Sequence, residues 1–203
     1  MPCSFPDELI ERTIAFHGHS CPGLAIGIRA SELALRELGD PGAIEMVAVS
    51  ETDMCGVDAI QFLTGCTFGK GNFLHRDHGK MAFSFFDRKS GQGLRALLVP
   101  EVRAGMDIEM GELLGKVTDG TATDADRERI GELRAQLQNR FMYLELEEMF
   151  KITPLEHGAP RPARILKSLI CDDCGESVME SRTRRFAGKT LCIPCFVAVE
   201  QKI

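Results

Sequence analysis

The chain has 203 residues with a formal net charge of −6, and its charge is divided unevenly. Residues 158–203 carry eight Lys/Arg against five Asp/Glu, leaving sixteen against twenty-five for the rest, so an acidic body precedes a mildly basic tail. An acidic body argues against broad nucleic-acid binding by that part, apolar runs far below the roughly 20 residues of a bilayer span argue against a membrane protein, and the N-terminus lacks a basic segment followed by an apolar one. Eight cysteines in a chain this long, half of them in paired C-x-x-C spacings, fit metal-bound thiolates in a reducing compartment better than a disulfide framework, which sets the expectation of a cytoplasmic protein.

In chain order, Ser4, Pro6 and Asp7 resemble a capping box ahead of Leu9, Ile10 and Ile14, which predicts a first helix over residues 6–16. His17-Gly-His19-Ser-Cys21-Pro22-Gly breaks it, and a second helix over 22–38 is marked by Pro22 at its start and Gly39 past its end. Cys21 is thereby placed at a helix N-terminus. Residues 43–49 read as a buried strand, a short helix follows Cys55, and 64–79 reads as a glycine-bearing loop. Residues 80–88 and 93–101 form a hairpin around the turn residues 89–93, and a long charged helix is expected from Asp124 to Phe150, closed by Pro154. That helix is long enough to pack against a second copy.

The stretch 157–165, with Pro160 and Pro162, reads as a linker between a core of residues 1–156 and a tail domain of residues 166–203. The expected fold class is α+β: a small mixed or antiparallel sheet flanked by helices, followed by a four-cysteine zinc-ribbon or treble-clef module.

The strongest motif lies in that tail. Cys171-x2-Cys174 and Cys192-x2-Cys195, seventeen residues apart, have the spacing of a tetrahedral zinc site with four thiolate ligands. A module of about forty residues cannot bury enough surface to fold alone, so the metal is expected to supply its folding free energy. Arg182, Arg184 and Arg185 either contact phosphate or solvate a hairpin face.

A second constellation joins His17, His19 and Cys21 with Cys55 and Cys66. Imidazole and thiolate suit borderline and soft metals, and a site drawn from several segments can leave a coordination position open. Against this stands a set of separately buried or satisfied side chains. A different chemistry has the Cys21 thiolate, favoured by the helix dipole, as a nucleophile with His19 as its base. Glu51 and Asp58 flank Cys55 as candidate orienting carboxylates or general bases. In the loop, Gly65, Gly69, Lys70, Gly71 and Asn72 could cradle an anion, so Cys66, Lys70 and Asn72 are candidate cofactor contacts, although the Walker spacing is not met. His75 and His78 read as surface residues.

Taken together, Phe16-His-Gly-His-Ser-Cys-Pro-Gly-Leu24, Glu51-x3-Cys-Gly-Val-Asp-Ala-Ile-Gln61, Thr64-Gly-Cys-Thr-x-Gly-Lys-Gly-Asn72 and Gly79-Lys-x-Ala-Phe83 resemble the FmdE family, named for formylmethanofuran dehydrogenase. The resemblance implies an α+β core, a tightly intertwined homodimer, and a metal or active site at His17, His19, Cys21, Cys55 and Cys66. It also implies an accessory role around molybdenum or tungsten dehydrogenases. No pterin or iron–sulfur binding pattern accompanies it, so catalysis of that oxidation by this chain alone is not expected. The leading expectation is a metal-binding accessory protein with structural zinc in the finger, a second transition metal in the core and a protein partner at the finger. The alternatives are an enzyme using a metal-bound water or the Cys21 thiolate, and a regulator whose finger senses metal or binds nucleic acid or protein.

Overall fold

The computed structural model describes residues 2–156 and 158–199. The chain divides into two compact units, Met1–Pro162 and Ala163–Ile203. The division falls inside the proline-bearing stretch; His157, counted in the expected linker, lies outside the described residues.

In the first unit, helix α1 (Asp7–His17) ends where Gly18 adopts φ 92° and returns its amide to the Ile14 carbonyl, a turn only glycine makes without strain. The expected capping box is not formed. The N-cap is Pro6, and the Ser4 amide donates instead to Glu32 Oε1 at 2.8 Å. Helix α2 (Pro22–Leu38) has Cys21 as its N-cap and is buried continuously from Leu24 to Ala34, so it forms the centre of the unit rather than a surface helix. Helix α3 (Gly56–Thr64) crosses it at very short range. A Cβ added to Gly27 would sit 2.1 Å from the Gly56 carbonyl oxygen, so both positions require glycine for the backbones to meet.

A five-stranded sheet carries these helices: β1 (Met46–Ser50), β2 (Phe73–His75), β3 (Ala82–Asp87), β4 (Gly93–Leu98) and β5 (Phe150–Leu155), in the order β2-β1-β3-β4-β5. The β1–β2 pair is parallel and the others antiparallel. Alternation along β1 divides the core: Met46 and Ala48 join the main cluster with Leu33, Phe83 and Phe85, while Val47 and Val49 meet Phe86 on the other face.

Two segments differ from the sequence expectation. Strand β2 lies within the expected loop, where three residues find a partner only because β1 runs beside them. The long helix is shorter than expected: after α4 (Met106–Thr118), α5 (Asp124–Tyr143) opens on a capping box between Thr123 and Asp126 and stops at Tyr143. The short α6 (Leu146–Met149) then leads into β5, which pairs with β4. Pro154 therefore sits in a strand rather than closing a helix. It is tolerated there because β5 is the sheet edge, where an outward position needs no amide hydrogen.

The second unit holds two hairpins and a short helix: β6 (Ser168–Ile170) with β7 (Ser177–Met179), β8 (Thr183–Phe186) with β9 (Lys189–Cys192), and α7 (Ile193–Ala198). Ala187 and Gly188, both at positive φ, form the second hairpin's tip. No helix among the described residues is long and apolar enough to cross a membrane.

Candidate metal centres

In the second unit, Cys171 and Cys174 lie on the turn after β6, where Gly175 at φ 75° donates its amide to the Cys171 carbonyl at 3.0 Å. Cys192 ends β9 and Cys195 lies in the first turn of α7. One sulfur from each of the four falls within 4.8 Å of the others, and Cys174 Sγ and Cys192 Sγ are 3.9 Å apart. A Zn–S bond of about 2.3 Å in a tetrahedron sets sulfurs roughly 3.8 Å apart, so the donor set fits zinc. Backbone amides, that of Cys192 foremost, hold the Cys171 thiol down to about 6, which favours the ligating thiolate. Behind the sulfurs, Leu191 is buried with the half-buried Val178 and Phe186 packed against it, a core too small to hold the unit without the metal.

In the first unit, three element ends converge. His17 is the last residue of α1, Cys21 caps α2 and Cys55 precedes α3. With His19 between the first two, they place one donor atom each within 4.8 Å of one another. The close α2–α3 crossing at Gly27 and Gly56 brings Cys55 to three residues more than thirty positions earlier in the chain.

Asp58 Oδ2 lies 2.7 Å from His17 Nδ1, which leaves Nε2 as the ligating nitrogen, 4.0 Å from Cys21 Sγ. A carboxylate on the far nitrogen is the usual way a ligating histidine is held in orientation. Cys21 Sγ accepts the Leu24 amide at 3.3 Å, so the thiol also faces the positive end of α2. Burial, and then the negative charge of the neighbouring Cys21, raise the Cys55 thiol. A raised Cys55 thiol is what a bound cation relieves, and two sulfurs with two imidazole nitrogens suit zinc or another borderline transition metal.

The remaining sequence candidates lie apart from this cluster. Cys66 is fully buried in the main core, its Sγ 3.4 Å from the Met46 carbonyl, and burial pushes its thiol up; it contributes no donor to the cluster. Asn72 accepts the Thr67 amide and donates to the Met46 carbonyl, acting as a clasp for its own loop. Lys70 borders a separate cavity of about 280 Å³ with Arg88, whose guanidinium is occupied by Glu45 and the Pro160 and Arg161 carbonyls. Of the two flanking carboxylates, Asp58 orients His17, whereas Glu51 turns to Arg95 in a two-bonded ion pair at 2.6 and 2.9 Å. That pair and His78, 3.4 Å away, hold the Glu51 carboxyl below its usual range. Arg182, Arg184 and Arg185 are all exposed on the finger.

A cavity of about 450 Å³ opens beside the cluster, floored by His17 and Cys55. His75, treated as a surface residue in the sequence, lines it together with Phe73 from the same face of β2. The two-residue spacing of Phe73 and His75 was the available signal, hidden because three residues are too short to read as a strand.

Comparison with known proteins agrees with this architecture. A family model described as "FmdE, Molybdenum formylmethanofuran dehydrogenase operon" matches residues 16–151. The chain belongs to the FmdE family. Residues 164–201 match the prokaryotic dksA/traR C4-type zinc finger, so this is an FmdE-family protein with a C-terminal zinc finger. A solved structure of a tungsten formylmethanofuran dehydrogenase FmdE-like protein from Syntrophus aciditrophicus is 27% identical, with a TM-score of 0.60 over 94% of this chain and 91% of that one. A relative from Archaeoglobus fulgidus, named a probable S-adenosyl-L-methionine-binding protein, is 31% identical over 202 residues. The alignment takes in 96% of this chain and 54% of the relative, so the chain spans about half the length of that protein.

Proposed function

We propose that this FmdE-family chain is a homodimeric accessory protein of molybdenum- or tungsten-type dehydrogenase metabolism. Its core holds a transition metal at His17, His19, Cys21 and Cys55, and its finger makes the contacts with a protein partner. The observation that carries the metal reading is the meeting of four donors from three element ends beside an accessible cavity. When bound, the metal supplies Lewis acidity at the cavity floor. Asp58 holds the His17 ring, and the α2 N-terminus holds Cys21. The accessory role is supported by the family's description and by the name of the Syntrophus protein. Exposed Ile108 and Leu114 on α4 support a dimer, because apolar side chains in water gain from a covering copy.

Metal analysis of the purified full chain tests this. Two equivalents per chain are expected, with His19→Ala and Cys55→Ala each losing one while the finger keeps its own. One equivalent that neither substitution changes would remove the core site. Light scattering at micromolar concentration reads the dimer directly.

A regulatory reading has one observation of its own, the exposed Arg182, Arg184 and Arg185 on a dksA/traR-type finger. It requires binding to nucleic acid that weakens steeply with salt and disappears when the three arginines are replaced. Elution from heparin in the void volume sets that reading aside.

A further inference from the structure

The cavity beside the core cluster carries a chemical preference of its own. Its volume of about 450 Å³ is that of a small-molecule site. Asp53 and Asp58 line it, and neither lysine nor arginine does among the described residues. The two aspartates give the lining its negative character, which disfavours phosphates and carboxylates. The hydrocarbon part of the wall is Phe68, Phe73, Met54 and Val57. Phe73 is buried, whereas Phe68 in the same lining is 76% exposed, a ring that water covers poorly and a ligand would cover well.

We infer that this cavity binds a small organic cation of the onium type, a quaternary ammonium or a sulfonium. Such cations cannot donate hydrogen bonds from the charged atom. They are recognised by aromatic faces and by carboxylates close by, which is the wall found here. A nucleotide would need cations, and neither lysine nor arginine lines the cavity among the described residues. Asp53, on the segment between β1 and α3, is the carboxylate committed to the ligand. Asp58 is shared with His17. The inference rests on the cavity lining, independently of the metal reading above.

Choline and 3,3-dimethylbutan-1-ol have the same shape and differ in charge alone, so titrating each into the metal-loaded full chain by calorimetry isolates the charge. Choline should bind more tightly by about tenfold or more, the size of an aromatic and carboxylate contact to an onium group. Asp53→Asn should bring the two within about threefold, and Phe68→Leu should weaken choline several-fold. Both positions are exposed, so thermal midpoints should not move. No choline binding at about 50 mM, equal or tighter binding of the neutral isostere, or a preference untouched by Asp53→Asn would overturn the proposal. Metal content measured on the same samples separates the two readings. An absent core equivalent counts against the metal site, while the charge preference is still read from the titration.

Discussion

Gly27→Ala offers the sharpest test of how the fold builds the site. In an ordinary helix the change should stabilise by up to about 1 kcal/mol, because alanine has less backbone freedom to lose. Here the new methyl would lie 2.1 Å from the Gly56 oxygen, 2.4 Å from its Cα and 2.6 Å from its carbonyl carbon. None of these backbone atoms can rotate away, so α2 and α3 must separate by about 1 Å to reach contact distance. Overpacking of this kind costs roughly 1–3 kcal/mol and outweighs the propensity gain, leaving a net loss of about 1–2 kcal/mol. The same shift pulls Cys55 from Cys21, and a metal site tolerates only about 0.2 Å per ligand, so core metal should be lost as well. Gly111→Ala, Gly115→Ala and Gly131→Ala are the controls. Each lies in α4 or α5 with nothing within 4 Å of the added carbon, and should be neutral or stabilising. Urea unfolding followed by far-ultraviolet circular dichroism, with metal analysis of each variant, reads both effects. A Gly27→Ala protein as stable as its controls and still holding core metal would refute the reasoning.

Cys192→Ser should remove close to one zinc equivalent and erase the dispersed amide signals of the finger while those of the first unit persist. The metal contributes about 10–16 kcal/mol to modules of this size, so a finger that keeps its spectrum without zinc contradicts the account. Asp58→Asn should lower core metal affinity about 10- to 100-fold in competition with a chromophoric chelator, since it frees the His17 ring to turn. Glu51→Gln should cost roughly 2 kcal/mol at neutral pH by breaking the charged pair with Arg95. The Glu51 carboxyl is lowered in the folded protein, so its stabilisation is complete above the unfolded value of about 4.3 and fades as pH falls through the folded value. The gap between wild type and variant, measured as urea midpoints, should close on acidification; a gap that widens would contradict the ion pair.

Much of this protein could be read along the chain wherever neighbours in sequence are neighbours in space. The finger's cysteine pairs, the His17-x-His19-x-Cys21 run, the glycine stops at Gly18 and Gly39, and the β3–β4 hairpin all depend on local geometry. Burial was harder to read. Cys66 has the same side chain as Cys55, and only packing distinguishes a core thiol under the Met46 carbonyl from one facing a cluster.

Edges and convergences belonged to tertiary structure alone. Strands β2 and β5 are too short or too irregular to announce themselves, and each exists because a neighbouring strand offers its unpaired backbone groups. Pro154 in isolation ends a helix; at the rim of a sheet it costs no ladder bond. Residue types along the chain specified which atoms can bind a metal. The approach of two helices over a pair of glycines decided which of those atoms meet, because coordination requires several donors within a few ångströms and covalent connectivity brings together only the nearest.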